Sequence, residues 1–175
     1  MFSLRTPSAT LAGLAVAVLT FLPGMAHAED WRAARSMPEL VEVLEGWLDA
    51  HSPWPRRADA PRVRWTNAQS AAAMAGHAAR SAALNPRGFY DADIATIYLV
   101  EPWSAGDAQD VSVLLHELAH HRQAEAGHWY CPGAQEKPAY KLQAAWLAEQ
   151  GLTGNINWIA VELASGCTPR DIHPD

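Results

Sequence analysis

Asp110-Val111-Ser112-Val113-Leu114-Leu115-His116-Glu117-Leu118-Ala119-His120-His121 is the stretch on which the reading of this chain turns. Val111, Leu114, Leu115, Leu118 and Ala119 recur at three- and four-residue spacing, which predicts a mostly buried helix over about 108–126, stopped by Gly127. Residues four apart on a helix lie about 40° apart around its axis and one turn along it, so His116 and His120 project from one side. Glu117 falls at the rim of that side. Two imidazoles on an apolar helix are costly to bury unless something satisfies them, and a metal ion satisfies both. Two nitrogen donors at this spacing, with an adjacent carboxylate not spent as a ligand, make a pattern suited to zinc and a general base.

Upstream, Ile94–Val100 reads as a strand rich in β-branched and aromatic residues, preceded by Phe89-Tyr90 and a turn at Asp91-Ala92-Asp93. Farther back, Ser36-Met37-Pro38-Glu39 reads as a capping box opening a helix that buries Leu40, Val43, Leu44, Trp47 and Leu48 and ends near Ala50. Residues 51–61 hold three prolines and form a loop, and Arg62–Trp65 is a short strand candidate. After Thr66 or Asn67 as cap, an Ala-rich segment favours helix up to Leu84, before Asn85-Pro86. His77 within it reads as an ordinary surface or core-edge histidine. Downstream, a loop over 127–134 leads to a helix over about 135–150, with Leu142, Trp146 and Leu147 on one side and Gly151 as its stop. Asn155 or Asn157 opens a last short helix ending at Gly166. The expected fold is α+β and mostly helical, with a small sheet or hairpin ahead of the histidine-bearing helix.

Residues 1–28 are expected to be a signal peptide rather than part of the fold. Arg5 supplies a positive start, Leu11–Leu22 is an apolar run too short to span a bilayer, and Ala26-His27-Ala28 supplies a cleavage site after Ala28. The remaining 29–175 form one domain, secreted or periplasmic, with no membrane association after cleavage. The 175-residue chain carries a net charge of −6, and its 13 Lys and Arg are scattered, which argues against a nucleic-acid partner. In an oxidising compartment Cys131 and Cys167 become a candidate disulfide, worth about 4 kcal/mol in the chain-entropy picture.

The His116-Glu117-Leu118-Ala119-His120 motif resembles that of the zincin metallopeptidases, with the likeness running over roughly 89–150. The resemblance implies a zinc-dependent peptidase with His116 and His120 as ligands and Glu117 as catalytic base, acting on a peptide or protein substrate. It also implies that the strand before the motif, here Ile94–Val100, forms an edge to which an extended peptide adds. The metzincin subclass is excluded, because positions 123 and 126 hold Gln123 and Ala126 in place of glycine and histidine. Zinc with an open position needs one more protein ligand. Glu136, at the start of the next helix, resembles the gluzincin arrangement, although only a short connection separates it from His120. His128 and Cys131 are the alternatives. Tyr140, His128 and Tyr130 are candidates for stabilising a tetrahedral oxyanion. The chain is expected to be a monomer. A non-catalytic, zinc-stabilised periplasmic binding module is the competing reading, and Glu117 discriminates, since a structural site has no need of it.

Overall fold

Helix α1 (Met37–His51) starts where the Ser36 hydroxyl accepts the Glu39 backbone N–H, with Pro38 in the first turn, where no intrahelical N–H is lost. Glu39 departs from the reciprocal capping box: its carboxylate accepts from the Arg35 N–H at 2.8 Å. In the computed structural model, residues 30–75 and 87–167 are described. The signal-peptide expectation for 1–28, and the part of the Ala-rich helix that holds His77, lie outside those residues. The fold is α+β and mostly helical, as expected.

Strand β1 (Arg62–Thr66) is followed by helix α2 (Ala68–Ala75), whose start is capped by Asn67 accepting the Ser70 N–H at 2.8 Å. Strands β2 (Gly88–Asp91) and β3 (Thr96–Val100) pair antiparallel, and β1 joins β3 in parallel, giving the order β1-β3-β2. Two expectations are corrected here. Ile94 and Ala95 belong to the turn, where Asp91 Oδ1 accepts the N–H groups of Asp93 and Ile94 and Ala95 takes a φ of 47°. The strand before the motif helix is also central rather than an edge. Its Thr96-Ile97-Tyr98-Leu99-Val100 run is buried at four of five positions, as befits a strand paired on both sides.

The free edge on this side is β2. Val100 donates to the Arg87 carbonyl at 2.9 Å, which makes 87 and 100 a hydrogen-bonded pair. In an antiparallel ladder such pairs alternate, so Phe89 and Asp91 turn their backbone groups toward β3 and Gly88 and Tyr90 turn theirs outward. Among the described residues no further strand pairs with that edge.

Helix α3 (Ala108–Gln123) begins at Asp107, whose side chain accepts the N–H groups of Gln109 and Asp110. Leu114, Leu115 and Leu118 of this helix are fully buried against Leu44 and Leu48 of α1, Ile97 and Leu99 of β3, and, on helix α4 (Glu136–Glu149), Ala139, Trp146 and Leu147. A polar link joins α1 to the C-terminal turn of α3. Arg122, 1% exposed, donates from Nε to Glu45 at 2.8 Å, from Nη2 to the Glu45 carbonyl and carboxylate and to Asp49, and from Nη1 to the Trp54 carbonyl. Arg56 lies over the same acids, 2.9 Å from Asp49 and 3.6 Å from Glu45, and also reaches Glu42 at 2.6 Å.

A 3-10 turn (Pro132–Gln135) leads into α4, and helix α5 (Trp158–Ala164), capped by Asn157, packs beside it. The expected Cys131–Cys167 disulfide is formed and ties the 3-10 turn to the end of α5. Gly133 sits so close under α5 that a Cβ there would lie 2.3 Å from the Ala164 carbonyl oxygen, so only glycine fits. Among the described residues no helix is long and apolar enough to cross a membrane.

Candidate metal centre

The helical spacing of His116 and His120 places both rings on the face of α3 that meets the start of α4, with Glu136 as the first residue of that second helix. The two Nε2 atoms lie 3.0 Å apart. Glu136 Oε2 lies 3.5 Å from His116 Nε2, and Oε1 lies 3.7 Å from His120 Nε2. All three donor groups fall within 4.8 Å of one another, the gathering expected of a metal-ion site. Two atoms each about 2.05 Å from a tetrahedral ion stand about 3.3 Å apart, so the spacing suits one ion among three donors. Two nitrogens and one carboxylate oxygen are also a donor set suited to zinc.

The electrostatics follow from burial and this crowding. Burial alone would lower the pKa of His120, but the hydrogen bond and charge of Glu136 outweigh it and lift His120 to about 9. Burial works to raise Glu136 too, yet hydrogen bonds and charge from His116 and His120 hold it far below the ordinary carboxylate range. Glu136 thus draws positive charge to the two imidazoles, and a divalent cation can take the place of the protons they would otherwise carry.

Glu117 occupies a different environment. It is 5% exposed and pairs with neither α1 nor α4, and burial raises its pKa despite the opposing charges of His116 and His120. Its carboxylate lies under the start of β2: a Cβ on Gly88 would stand 2.7 Å from Glu117 Oε1 and 2.8 Å from Val113 Cγ1. Glycine at 88 therefore makes room for the carboxylate beneath the free strand edge. Among the described residues His116 Nδ1 is buried with no hydrogen-bond partner, whereas His120 Nδ1 meets Gln123 Oε1 at 2.8 Å.

Tyr140, one turn into α4, packs its ring against His116 with centroids 4.3 Å apart. Burial, reinforced by the negative charges of Glu136 and Glu117, pushes its hydroxyl up to about 12, so it keeps its proton at neutral pH. The two alternatives for the third ligand stand elsewhere. Cys131 is committed to Cys167, and His128 lies outside the donor group, its ring facing Tyr130 at 6.2 Å. Glu125 is not on the motif helix, which ends at Gln123, and it pairs with Arg57.

His121 points away from the metal side, as its angular position requires. Its Nε2 donates to the Asp59 carbonyl at 2.9 Å, leaving Nδ1 to accept from the Tyr90 hydroxyl at 3.0 Å, while Arg57 donates to the same hydroxyl at 2.9 Å. Tyr90 belongs to β2, so this cluster pins the strand edge to α3. No local pattern gives Tyr90, Arg57 or Gly88 away as part of this site. Only Gln123 carried a local signal, three residues after His120 on the same helix.

The chain belongs to the family described as "Domain of unknown function (DUF6647)", whose model matches residues 33–175. No curated protein and no solved structure matches it.

Proposed function

We propose that this DUF6647 chain is an exported zinc-dependent hydrolase, acting as a monomer on peptide bonds. The observation that carries the reading is the pairing of His116, His120 and Glu136, gathered within 4.8 Å, with Glu117, a buried carboxylate on the same helix left outside the donor group. A donor set alone suits any zinc site; a neighbouring carboxylate held in reserve suits hydrolysis.

A zinc ion bound here would supply polarisation of the scissile carbonyl and a lowered pKa for water. The protein does the rest. His116, His120 and Glu136 would hold the ion. Glu117 takes the proton of the attacking water on its carboxylate and passes it to the departing amine nitrogen; a raised pKa suits a group that must both accept and release that proton. Tyr140, protonated and packed on His116, donates its hydroxyl to the oxygen that gains charge. The outward backbone groups of Gly88 and Tyr90 accept an extended peptide by strand addition, which favours a peptide over a sugar.

The test is metal analysis joined to one substitution. The purified protein is expected to carry about one zinc per chain, and Glu117→Gln is expected to keep it while losing hydrolysis of a peptide library. A chain that takes up no zinc refutes the site, and Glu117→Gln with full turnover refutes the base. The low exposure of the two imidazoles, with side chains 8% and 11% accessible, favours a second reading, a non-catalytic zinc-stabilised binding module. Zinc uptake with no hydrolysis by the unsubstituted protein selects that reading.

A further inference from the structure

Gln123 is completely buried at the last position of α3, and each of its polar ends is engaged. Its Nε2 donates to the Gln135 carbonyl at 3.0 Å, its Oε1 meets His120 Nδ1 at 2.8 Å, and its own backbone carbonyl accepts from Trp129 Nε1 at 3.0 Å. Gln135 immediately precedes Glu136. One side chain therefore touches one member of the donor set directly and the backbone beside another.

The orientation of this amide follows from elementary bonding. A backbone carbonyl only accepts, so the end of the amide facing Gln135 must be the NH2. The end facing His120 must then be the carbonyl oxygen, which also only accepts, so His120 Nδ1 must carry a proton. A neutral imidazole with its proton on Nδ1 has its lone pair on Nε2, the atom that faces His116 and Glu136. The tautomer of His120 is thus dictated from the backbone of the residue ahead of Glu136, through Gln123.

We propose that Gln123 is the positioning residue of the metal centre, fixing His120 in its Nδ1–H form and holding the start of α4 so that Glu136 meets His120. The proposal rests on the reading of His116, His120 and Glu136 as metal ligands. Among the described residues His116 has no counterpart to this relay, since none of them partners its Nδ1, so the ordering of the site falls on the His120 side. Groups that hold the far nitrogen of a ligating histidine are worth about 10- to 100-fold in metal affinity.

Zinc affinity, measured by chelator competition on the purified protein, separates the outcomes. Gln123→Leu removes both polar ends and is expected to weaken zinc binding by about 10- to 100-fold. Gln123→Glu keeps an acceptor for His120 Nδ1 but sets its second carboxylate oxygen, also an acceptor, against the Gln135 carbonyl, so it is expected to recover part of that loss. Affinity of Gln123→Leu within about threefold of the unsubstituted chain, or Gln123→Glu no better than Gln123→Leu, overturns the proposal. A measurement without any variant guards against misfolding: in the zinc-loaded protein, ring nitrogen shifts are expected to show the His120 proton on Nδ1, exchanging slowly with solvent. A rapidly exchanging Nδ1 proton, or zinc on Nδ1, overturns it as well. Failure of the unsubstituted protein to bind zinc refutes instead the ligand assignment beneath it.

Discussion

Helix α3 carries two buried polar clusters that are built on opposite terms. Toward α1, Arg122 spends its guanidinium on Glu45, Asp49 and the Trp54 carbonyl, so a fully buried charge has donors matched to acceptors. Toward α4, two imidazole nitrogens and the Glu136 carboxylate converge within 4.8 Å without an arginine or lysine in the group, and Glu117 lies buried beside them under β2. Burying polar groups costs free energy unless they are satisfied, so the first cluster is explained as architecture, whereas the second crowds two imidazoles and two carboxylates into one buried place. The difference teaches where to look for chemistry: in the cluster whose donor atoms converge on one another rather than on a matched cation of the protein.

The sharpest way to break this comparison is at the second cluster. Glu117→Gln is expected to lower peptide hydrolysis by about 10²- to 10⁴-fold, measured as kcat, while zinc content stays unchanged. At the first cluster, Arg122→Met strands Glu45 without its partner and is expected to cost about 3–5 kcal/mol in urea unfolding. Pairing it with Glu45→Leu should return much of that loss, because two apolar groups leave nothing unsatisfied. Recovery failing to appear would mean that Arg122 holds α1 through more than charge. Replacing Cys131 and Cys167 by serine is expected to cost about 2–5 kcal/mol and to weaken zinc binding, since the bond fastens the segment that leads to Glu136. Gly88→Ala, which crowds Glu117 and Val113, is expected to cost about 1–3 kcal/mol and to reduce kcat with zinc affinity unmoved.

The smallest effect concerns pH in the metal-free protein. Burial raises the folded pKa of Glu117 above its unfolded value, so its contribution to stability is fully present below the unfolded pKa and is lost as pH rises through the folded one. Thermal midpoints of the chelator-treated protein and of Glu117→Gln are therefore expected to diverge with rising pH, the variant becoming the more stable. Parallel curves would show that Glu117 is not desolvated.

The helices were legible because their signals are local. Ser36, Asn67 and Asn157 act as caps where the sequence suggested, and Leu40, Leu44, Trp47 and Leu48 of the expected α1 face are buried, with Val43 half-buried at its rim. His116, His120 and Glu136 come together because helical geometry and one short connection suffice to join them. The sheet was less legible. Nothing within Thr96–Val100 says that β1, some thirty residues earlier, pairs with it in parallel and makes it central. Likewise Glu45 and Arg122 are 77 positions apart, and the amphipathic pattern of α1 gives no hint that an acid at a core-facing position has an arginine waiting for it. Gly88 was invisible for a related reason, since its importance lies in a carboxylate brought over it from another element.

The run from His116 to Gln123 behaves as a single ruler. Within eight consecutive residues of one helix stand two donors, the reserved carboxylate, the Tyr90 anchor, the buried arginine and the amide that orders His120. Each helical residue turns the chain by about 100°, so one insertion or deletion inside the run would swing part of this set off its faces while leaving the helix intact. Length variation in relatives of this chain should therefore be absent from that octet and gather in the connection ahead of Cys131, where the chain can absorb an extra residue without rotating any member of the set.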